Sequence, residues 1–129
     1  MYSDKLGAIS WMDLTVENAE QTKDFYQNVV GMTVESCAMG DYDDFVLIAP
    51  EDSNSQVGVC HARGPNKDIP AQWLPYFNVV DVEQSLKQTL AMGGTIVKEK
   101  TDMGSYLMCI VKDPSGAIAA LVSPNPNAE

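Results

Sequence analysis

The sequence VENAEQT at residues 16–22 recurs as VVDVEQS at residues 79–85, an offset of 63 residues. The correspondence continues in order along both halves of the chain, with a slip of one residue in its later part. The further matches are Gly31 with Gly94, Val34 with Val97, Met39-Gly40 with Met103-Gly104, and Pro50 with Pro114. Matches that keep their order at a spacing of 63 or 64 residues indicate two copies of a structural unit. We therefore predict a single domain over residues 1–129, made of module one at 6–64 and module two at 70–124.

Both modules show the same order of secondary-structure signals. Asn18 and Asp81 are good helix N-caps, each with a glutamine three residues later. Apolar stripes then predict two helices, and Gly31 and Gly93 end them. The stripes are Thr22, Phe25, Tyr26, Val29 and Val30 in module one, and Val82, Leu86 and Leu90 in module two. Strand-like runs lie at 8–16, 32–38, 45–49 and 56–62, and at 74–79, 95–100, 106–111 and 117–123. The pattern predicts an α+β fold of two βαβββ modules whose sheets curl around a shared cleft.

The composition excludes several classes of function. Eight Lys and Arg against 18 Asp and Glu give a formal net charge of −10, which would repel nucleic acid and anionic membranes. No apolar run approaches the roughly 18 residues of a membrane span, and the N-terminal sequence does not resemble a signal peptide. Three scattered cysteines and one histidine indicate a reduced, cytoplasmic protein without a multi-ligand zinc site.

Several stretches resemble one known superfamily. DLTVENAE at 13–20, Phe25-Tyr26 and Val30-Gly31-Met32 are similar to the opening of vicinal oxygen chelate domains, the glyoxalase, bleomycin-resistance and extradiol-dioxygenase superfamily. FNVVD at 77–81 and DPSG at 113–116 resemble its second-half landmarks. The resemblance implies the paired βαβββ fold, small-molecule chemistry, a homodimer, and one divalent metal held by His, Gln and Glu from the first and last strands of each module.

The metal positions that the resemblance implies carry other residue types. They fall on Trp11, Leu74 and Ala120, and the remaining position falls within the strand at 56–62, on Val59 or His61. Trp, Leu and Ala are not metal ligands, and one histidine cannot replace the set. We therefore expect neither a metal site nor a cofactor.

Strand alternation predicts which side chains would line the cleft instead. Trp11, Asp13 and Thr15 share one face, as do Leu74, Tyr76 and Asn78, and as do Ile118, Ala120 and Val122. In the strand around Cys60, either Val57, Val59 and His61 or Gly58 and Cys60 face the cleft. Cys60 and His61 then lie on opposite faces, which argues against a nucleophilic Cys–His pair. The predicted ligand-binding residues are Trp11, Asp13, His61, Leu74, Tyr76, Asn78 and Ala120.

Three functions remain open at the level of sequence. The first is a protein that binds a small organic molecule, aromatic or cationic, because Trp11 and Tyr76 can stack on it and Asp13 can pair with its charge. The second is a lyase, isomerase or dioxygenase that is metal-free or uses unusual ligands, with Asp13 or His61 as general base. The third is a protein-contact module whose large side chains fill the cleft.

Overall fold

A computed structural model describes residues 5–128 and contains eight strands and two α-helices. The α+β class and the strand–helix–three-strand order of both modules are confirmed. The elements are β1 Ile9–Val16, α1 Ala19–Val30, β2 Thr33–Ala38, β3 Asp43–Ala49, β4 Asp52–His61, β5 Trp73–Asn78, α2 Val82–Ala91, β6 Thr95–Asp102, β7 Tyr106–Lys112 and β8 Ile118–Pro124. The described helices are both too short to cross a membrane.

The chain divides into two compact units. Unit one is Trp11–Trp73, and unit two combines residues 5–10 with residues 74–128. The stretch before Ser10 joins unit two through backbone hydrogen bonds, from Gly7 N to Asn78 O at 2.7 Å and from Asn78 N to Ala8 O at 2.9 Å. The division therefore runs through β1, whereas the repeat predicts a boundary between residues 64 and 70. The shared cleft between the modules stays a prediction.

Unit one is a four-stranded sheet with α1 on one face. The strand order is β2-β3-β4-β1, in which β1 and β4 are parallel and the other pairs antiparallel. Its core contains the buried side chains of Ala19, Phe45, Leu47 and Val59. Leu14 pairs with Val59, so the adjacent Asp13 points away from α1. One face of β1 and β4 is thus left without a helix from unit one.

Unit two repeats this arrangement with its own helix. The strand order β5-β8-β7-β6 includes one parallel pair, β5 with β8. Val82 and Leu86 of α2 pack against Cys109, with Leu121 and other partly buried side chains around them. The Ser123 hydroxyl of β8 accepts a hydrogen bond from Val82 N at 3.2 Å, which joins the start of α2 to the sheet.

The predicted helix stripes are partly wrong. Phe25, Val29 and Val30 of α1 and Leu90 of α2 are each more than half exposed. Tyr26 of the predicted stripe does pack against the core, beside fully buried Ala19, which the stripe omitted. The Tyr26 hydroxyl accepts a hydrogen bond from Trp73 Nε1 at 3.0 Å. Alanine at the first helical position lets the helix approach the sheet closely, and residues seven apart then share the contact face. Phe25 and Val29 lie to one side of that face.

The predicted N-cap of α1 gives a measurable stability effect. Asn18 Oδ1 accepts the backbone N–H of Gln21 at 3.0 Å. Asn18→Ala should lower the free energy of unfolding by about 1 kcal/mol, because a first-turn donor loses its partner. Asn28→Ala, an exposed substitution inside the same helix, should change it by less than about 0.5 kcal/mol. Urea denaturation of the two variants checks this, and equal losses would show that the cap contributes nothing specific.

Candidate functional site

Asp13 lies on the helix-free face of unit one and accepts two side-chain hydrogen bonds. The indole Nε1–H of Trp11 donates to Oδ1 at 3.0 Å. The thiol of Cys60, on β4, lies 3.5 Å from Oδ2 and 3.7 Å from Oδ1. Trp11 and Asp13 are two residues apart on one strand and therefore share a face, as alternation predicts. The carboxylate is thus oriented by donors from two neighbouring strands.

Gly58 provides the space that the Asp13 carboxylate occupies. The two residues are paired partners in the parallel β1–β4 ladder. A methyl group at position 58 would lie 2.0 Å from Asp13 Oδ1 and 3.1 Å from Trp11 Nε1. Glycine inside a strand often marks such a close approach. The sequence left open which side chains of β4 share a face with Asp13. The register shows that Gly58 and Cys60 do, while Val59 is buried under α1.

The surroundings of Asp13 make its carboxylate a stronger base than an ordinary aspartate. Burial raises the pKa of Asp13, and the hydrogen bonds from Trp11 and Cys60 oppose this only in part. The negative charge of Asp44 raises that pKa further. A carboxylate of this kind can pair with a cation or accept a proton from a bound molecule.

Cys60 is a hydrogen-bond donor and not a nucleophile. Burial raises the pKa of its thiol far above the usual range, and the carboxylates of Asp13 and Asp44 raise it further. Because the thiolate is the reactive form of cysteine, a raised thiol pKa makes Cys60 a poor nucleophile at neutral pH.

The three cysteines should therefore react at different rates with a thiol reagent. Cys37 is exposed, Cys60 is partly buried, and Cys109 is buried, with its pKa raised to about 12 mainly by burial. Native protein treated with Ellman's reagent should show one fast thiol and two slow ones. Cys37→Ser should remove the fast phase, whereas a fast phase that persists in this variant would place a reactive thiol at Cys60 or Cys109.

His61 is held by Asp44 and not by Asp13. Asp44 Oδ1 accepts the His61 backbone N–H at 2.8 Å and lies 3.2 Å from His61 Nδ1. The imidazole and the Tyr42 ring also pack edge to face, with their centroids 5.2 Å apart. The Arg63 guanidinium lies over the Tyr42 ring, with Cζ 4.1 Å from the ring centroid. These contacts describe a packed histidine at the end of β4. Its predicted role in ligand binding stays a prediction.

The predicted binding residues of unit two are all buried. Leu74, Tyr76, Asn78 and Ala120 expose between 0 and 8% of their surface. Asn78 Nδ2 donates to Lys5 O at 3.3 Å, and its buried Oδ1 has no hydrogen-bond partner within residues 5–128. These four side chains present almost no surface to a ligand in this structure, whereas Trp11, Asp13 and His61 are partly exposed. The predicted contact of the four with a ligand stays a prediction.

The family's metal positions do not fit a metal ion. Tyr76 pairs with Ala120 in β5–β8 as Asp13 pairs with Gly58 in β1–β4, and Tyr76 lies 63 residues after Asp13. The equivalent of Ala120 in module one is therefore Gly58, and neither Val59 nor His61 occupies it. The full set is then Trp11, Gly58, Leu74 and Ala120, which offers no metal-binding side chain. Over the described part of the chain, no group of three or more His, Cys, Asp or Glu residues could hold a metal.

Lys98 is a charged residue that the sequence pattern did not single out. It lies opposite Ile110 in the β6–β7 ladder, although Ile96 lies opposite Val111. A register shift between Ile96 and Lys98 turns the lysine to the other face of the sheet from Ile96. Burial lowers the pKa of its ammonium group. Alternation alone could not reveal this position, because a bulge reverses it.

The fold and the helix-free strand faces define a small α+β domain with duplicated βαβββ modules. The chain belongs to the Glyoxalase/Bleomycin resistance protein/Dioxygenase superfamily, whose match extends over residues 8–120.

Comparison with individual proteins agrees with this membership. The chain is 27% identical over 124 residues to a putative glyoxylase, CFP32, from Mycobacterium bovis, covering 95% of this chain and 46% of that protein. It is 30% identical over 128 residues to the anthracycline biosynthesis protein DauV from Streptomyces sp. strain C5, covering 89% of this chain and 46% of that protein. The chain thus spans about half the length of these relatives. The crystal structure of methylmalonyl-CoA epimerase from Mycobacterium tuberculosis has the same fold, with a TM-score of 0.58, 17% identity, and coverage of 98% of this chain and 94% of that one.

Proposed function

We propose that this chain binds a small organic molecule, cationic and aromatic, at the Asp13 face of unit one, without the metal of its family. The observation that supports this most directly is the Asp13 carboxylate beside the indole of Trp11, joined by a hydrogen bond of 3.0 Å. An indole attracts a cation or an aromatic ring over its face, and the carboxylate pairs with the positive charge. The net charge of −10 attracts a cation from solution as well.

A matched set of benzyl compounds tests the proposal. Benzylamine, benzyl alcohol and phenylacetate share a ring and differ in charge. Calorimetric titration at neutral pH should give binding for benzylamine, weaker binding for the alcohol and none for the acid. Asp13→Asn should weaken benzylamine binding about tenfold, since a charge-assisted hydrogen bond is worth roughly 1.5–3 kcal/mol. Asp68→Asn, the same change at an exposed aspartate, should leave the affinity unchanged.

The pH dependence follows from the raised pKa of Asp13. Protonation of the carboxylate removes the negative charge, so the benzylamine affinity should fall as the pH decreases through the Asp13 pKa. The fall should begin at a higher pH than for an ordinary aspartate and be absent in Asp13→Asn. Equal pH dependence in the wild type and in Asp13→Asn would contradict the proposal.

A metal-free enzyme is the second candidate, and the raised pKa of Asp13 favours it. An aspartate of this kind can remove a proton from a bound carbon acid. Members of this superfamily that carry the metal use it as a Lewis acid, a role that Trp11, Gly58, Leu74 and Ala120 cannot support. Turnover of a carbon acid that survives a chelator and is lost in Asp13→Asn would favour the enzyme, whereas benzylamine binding without turnover of any carbon acid tested would favour the binding protein.

We also propose that the chain is a cytoplasmic homodimer. The family resemblance supports the dimer, and the three free cysteines support a reducing compartment. Light scattering coupled to size exclusion measures the mass directly, and a monomer of 14.0 kDa at micromolar concentration would contradict the dimer.

A further inference from the structure

The Asp13 carboxylate has one donor on its own strand and one on the neighbouring strand, and the Cys60 thiol lies within hydrogen-bond distance of both carboxylate oxygens. Trp11 Nε1 lies 3.0 Å from Oδ1, on the same strand, and Cys60 Sγ is nearest to Oδ2 at 3.5 Å, from the neighbouring strand. Gly58 lies opposite Asp13 and leaves room for the carboxylate between these donors. Two donors from two strands fix both the position and the plane of a carboxylate, which one donor cannot do.

We propose that Cys60 is a positioning residue for Asp13. The Cys60 thiol is a fixed hydrogen-bond donor that holds the Asp13 carboxylate in its ligand-accepting orientation. The ligand part of this inference rests on the proposed function, but the hydrogen bond does not. Nothing in the proposal requires the sulfur to react.

The charges around Cys60 explain why the thiol keeps its proton. Asp44 lies on β3 next to Cys60, because Phe45 pairs with Val59 in the β3–β4 ladder. A thiolate here would stand between two carboxylates in a partly buried place, so its pKa is raised by burial and by both of them. Within residues 5–128, the groups known to act on the Asp13 carboxylate are the Trp11 indole from its own strand, the Cys60 thiol from β4 and the Asp44 carboxylate from β3. Of these three groups, the indole and the thiol are the hydrogen-bond donors.

Two variants separate the donor from the volume of the side chain. Cys60→Val keeps a similar size and removes the proton donor, whereas Cys60→Ser keeps a donor. The Asp13 carboxyl carbon is followed by NMR during a pH titration of ligand-free protein. We expect Cys60→Val to raise the Asp13 pKa above the wild-type value and Cys60→Ser to leave it at or below that value, since a hydrogen bond to the charged form favours it. Equal Asp13 titrations in all three proteins would overturn the proposal.

A second readout needs no variant and therefore does not depend on the folding of one. The S–H stretching band of the wild type, recorded by infrared spectroscopy, should move to lower frequency as Asp13 ionises, because the charged acceptor strengthens the hydrogen bond. A band that is constant through the Asp13 titration would overturn the proposal. The S–H bands of Cys37 and Cys109 serve as references, because neither thiol is among the groups that shift the Asp13 pKa in the described structure.

Benzylamine affinity distinguishes failure of this inference from failure of the proposed function. If both hold, Cys60→Val should bind benzylamine about fivefold more weakly than the wild type, and Cys60→Ser should bind it as the wild type does. Altered Asp13 titration with no benzylamine binding in any of the three proteins supports the positioning role and overturns the proposed function. Benzylamine binding that is equal in all three, with unaltered titrations, supports the function and overturns the positioning role.

Discussion

Gly58→Ala is expected to lower the free energy of unfolding by about 2 kcal/mol, the middle of the range for an overpacked site. The added methyl group would lie 2.0 Å from Asp13 Oδ1, so either the strand or the carboxylate must move. Movement of the carboxylate would also weaken its hydrogen bonds with Trp11 and Cys60. The variant should therefore lose benzylamine affinity together with stability. Urea denaturation and calorimetric titration of the same sample measure both.

A double-mutant cycle separates this contact from a general cost of alanine in β4. Asp13→Ala removes the oxygen that the new methyl group would meet. In that background, Gly58→Ala should cost less than about 1 kcal/mol, so the two changes are strongly coupled. An equal cost in both backgrounds would contradict the role assigned to Gly58.

Asp44→Ala should be the most destabilising change at the histidine end of β4. Asp44 is buried, and its Oδ1 accepts the backbone N–H of His61 and lies 3.2 Å from His61 Nδ1. Truncation leaves a backbone donor without its partner, at a cost of about 3 kcal/mol for a charged acceptor. Asp44→Asn keeps an oxygen at the same place and should cost less than about 1 kcal/mol. Thermal and urea unfolding of the two variants measure the difference.

The same pair of variants also reports on Asp13. Asp44→Asn removes a negative charge that raises the Asp13 pKa, so that pKa should decrease. Because the pKa of Asp13 is higher in the folded state than in the unfolded state, the native state binds more protons. The wild type therefore loses stability as the pH rises from the unfolded-state pKa of Asp13 through its folded-state pKa. That loss should be smaller in Asp44→Asn. Equal free energies of unfolding for Asp44→Ala and Asp44→Asn would contradict a stabilising role for the hydrogen bonds between Asp44 and His61.

Local signals predicted the elements of the fold well. Asn18 and Asp81 cap their helices as the sequence indicates, and Gly31 ends α1 with φ of 93°. The repeat predicted two modules with the same order of strands and helix. This prediction succeeded because helix caps and strand alternation depend on residues that are close in sequence. The packing face of α1 was not predictable in the same way. Phe25, Tyr26 and Val29 fit one apolar stripe, but of these three it is Tyr26 that packs on the core, beside Ala19, while Phe25 and Val29 are exposed.

The candidate site required the register between strands, which no local signal contains. Alternation placed Trp11 and Asp13 on one face but left two choices for β4. Only the pairing of Asp13 with Gly58 decides between them, and it places Cys60 beside the carboxylate. Gly58 itself was a usable signal, since a glycine within a strand indicates a close approach. Asp44 was hidden because the apolar run of β3 begins one residue later, at Phe45.

The two tryptophans permit the most direct test of ligand binding at Asp13. Trp11 Nε1–H is bonded to Asp13, whereas Trp73 Nε1–H is bonded to Tyr26 on the helix side of the sheet. In a ¹⁵N-correlated NMR titration with benzylamine, the Trp11 indole signal should move in a saturable way while the Trp73 indole signal stays in place. Asp13→Asn should abolish the movement. Saturable binding that leaves the Trp11 indole signal unchanged would contradict a ligand site at Asp13.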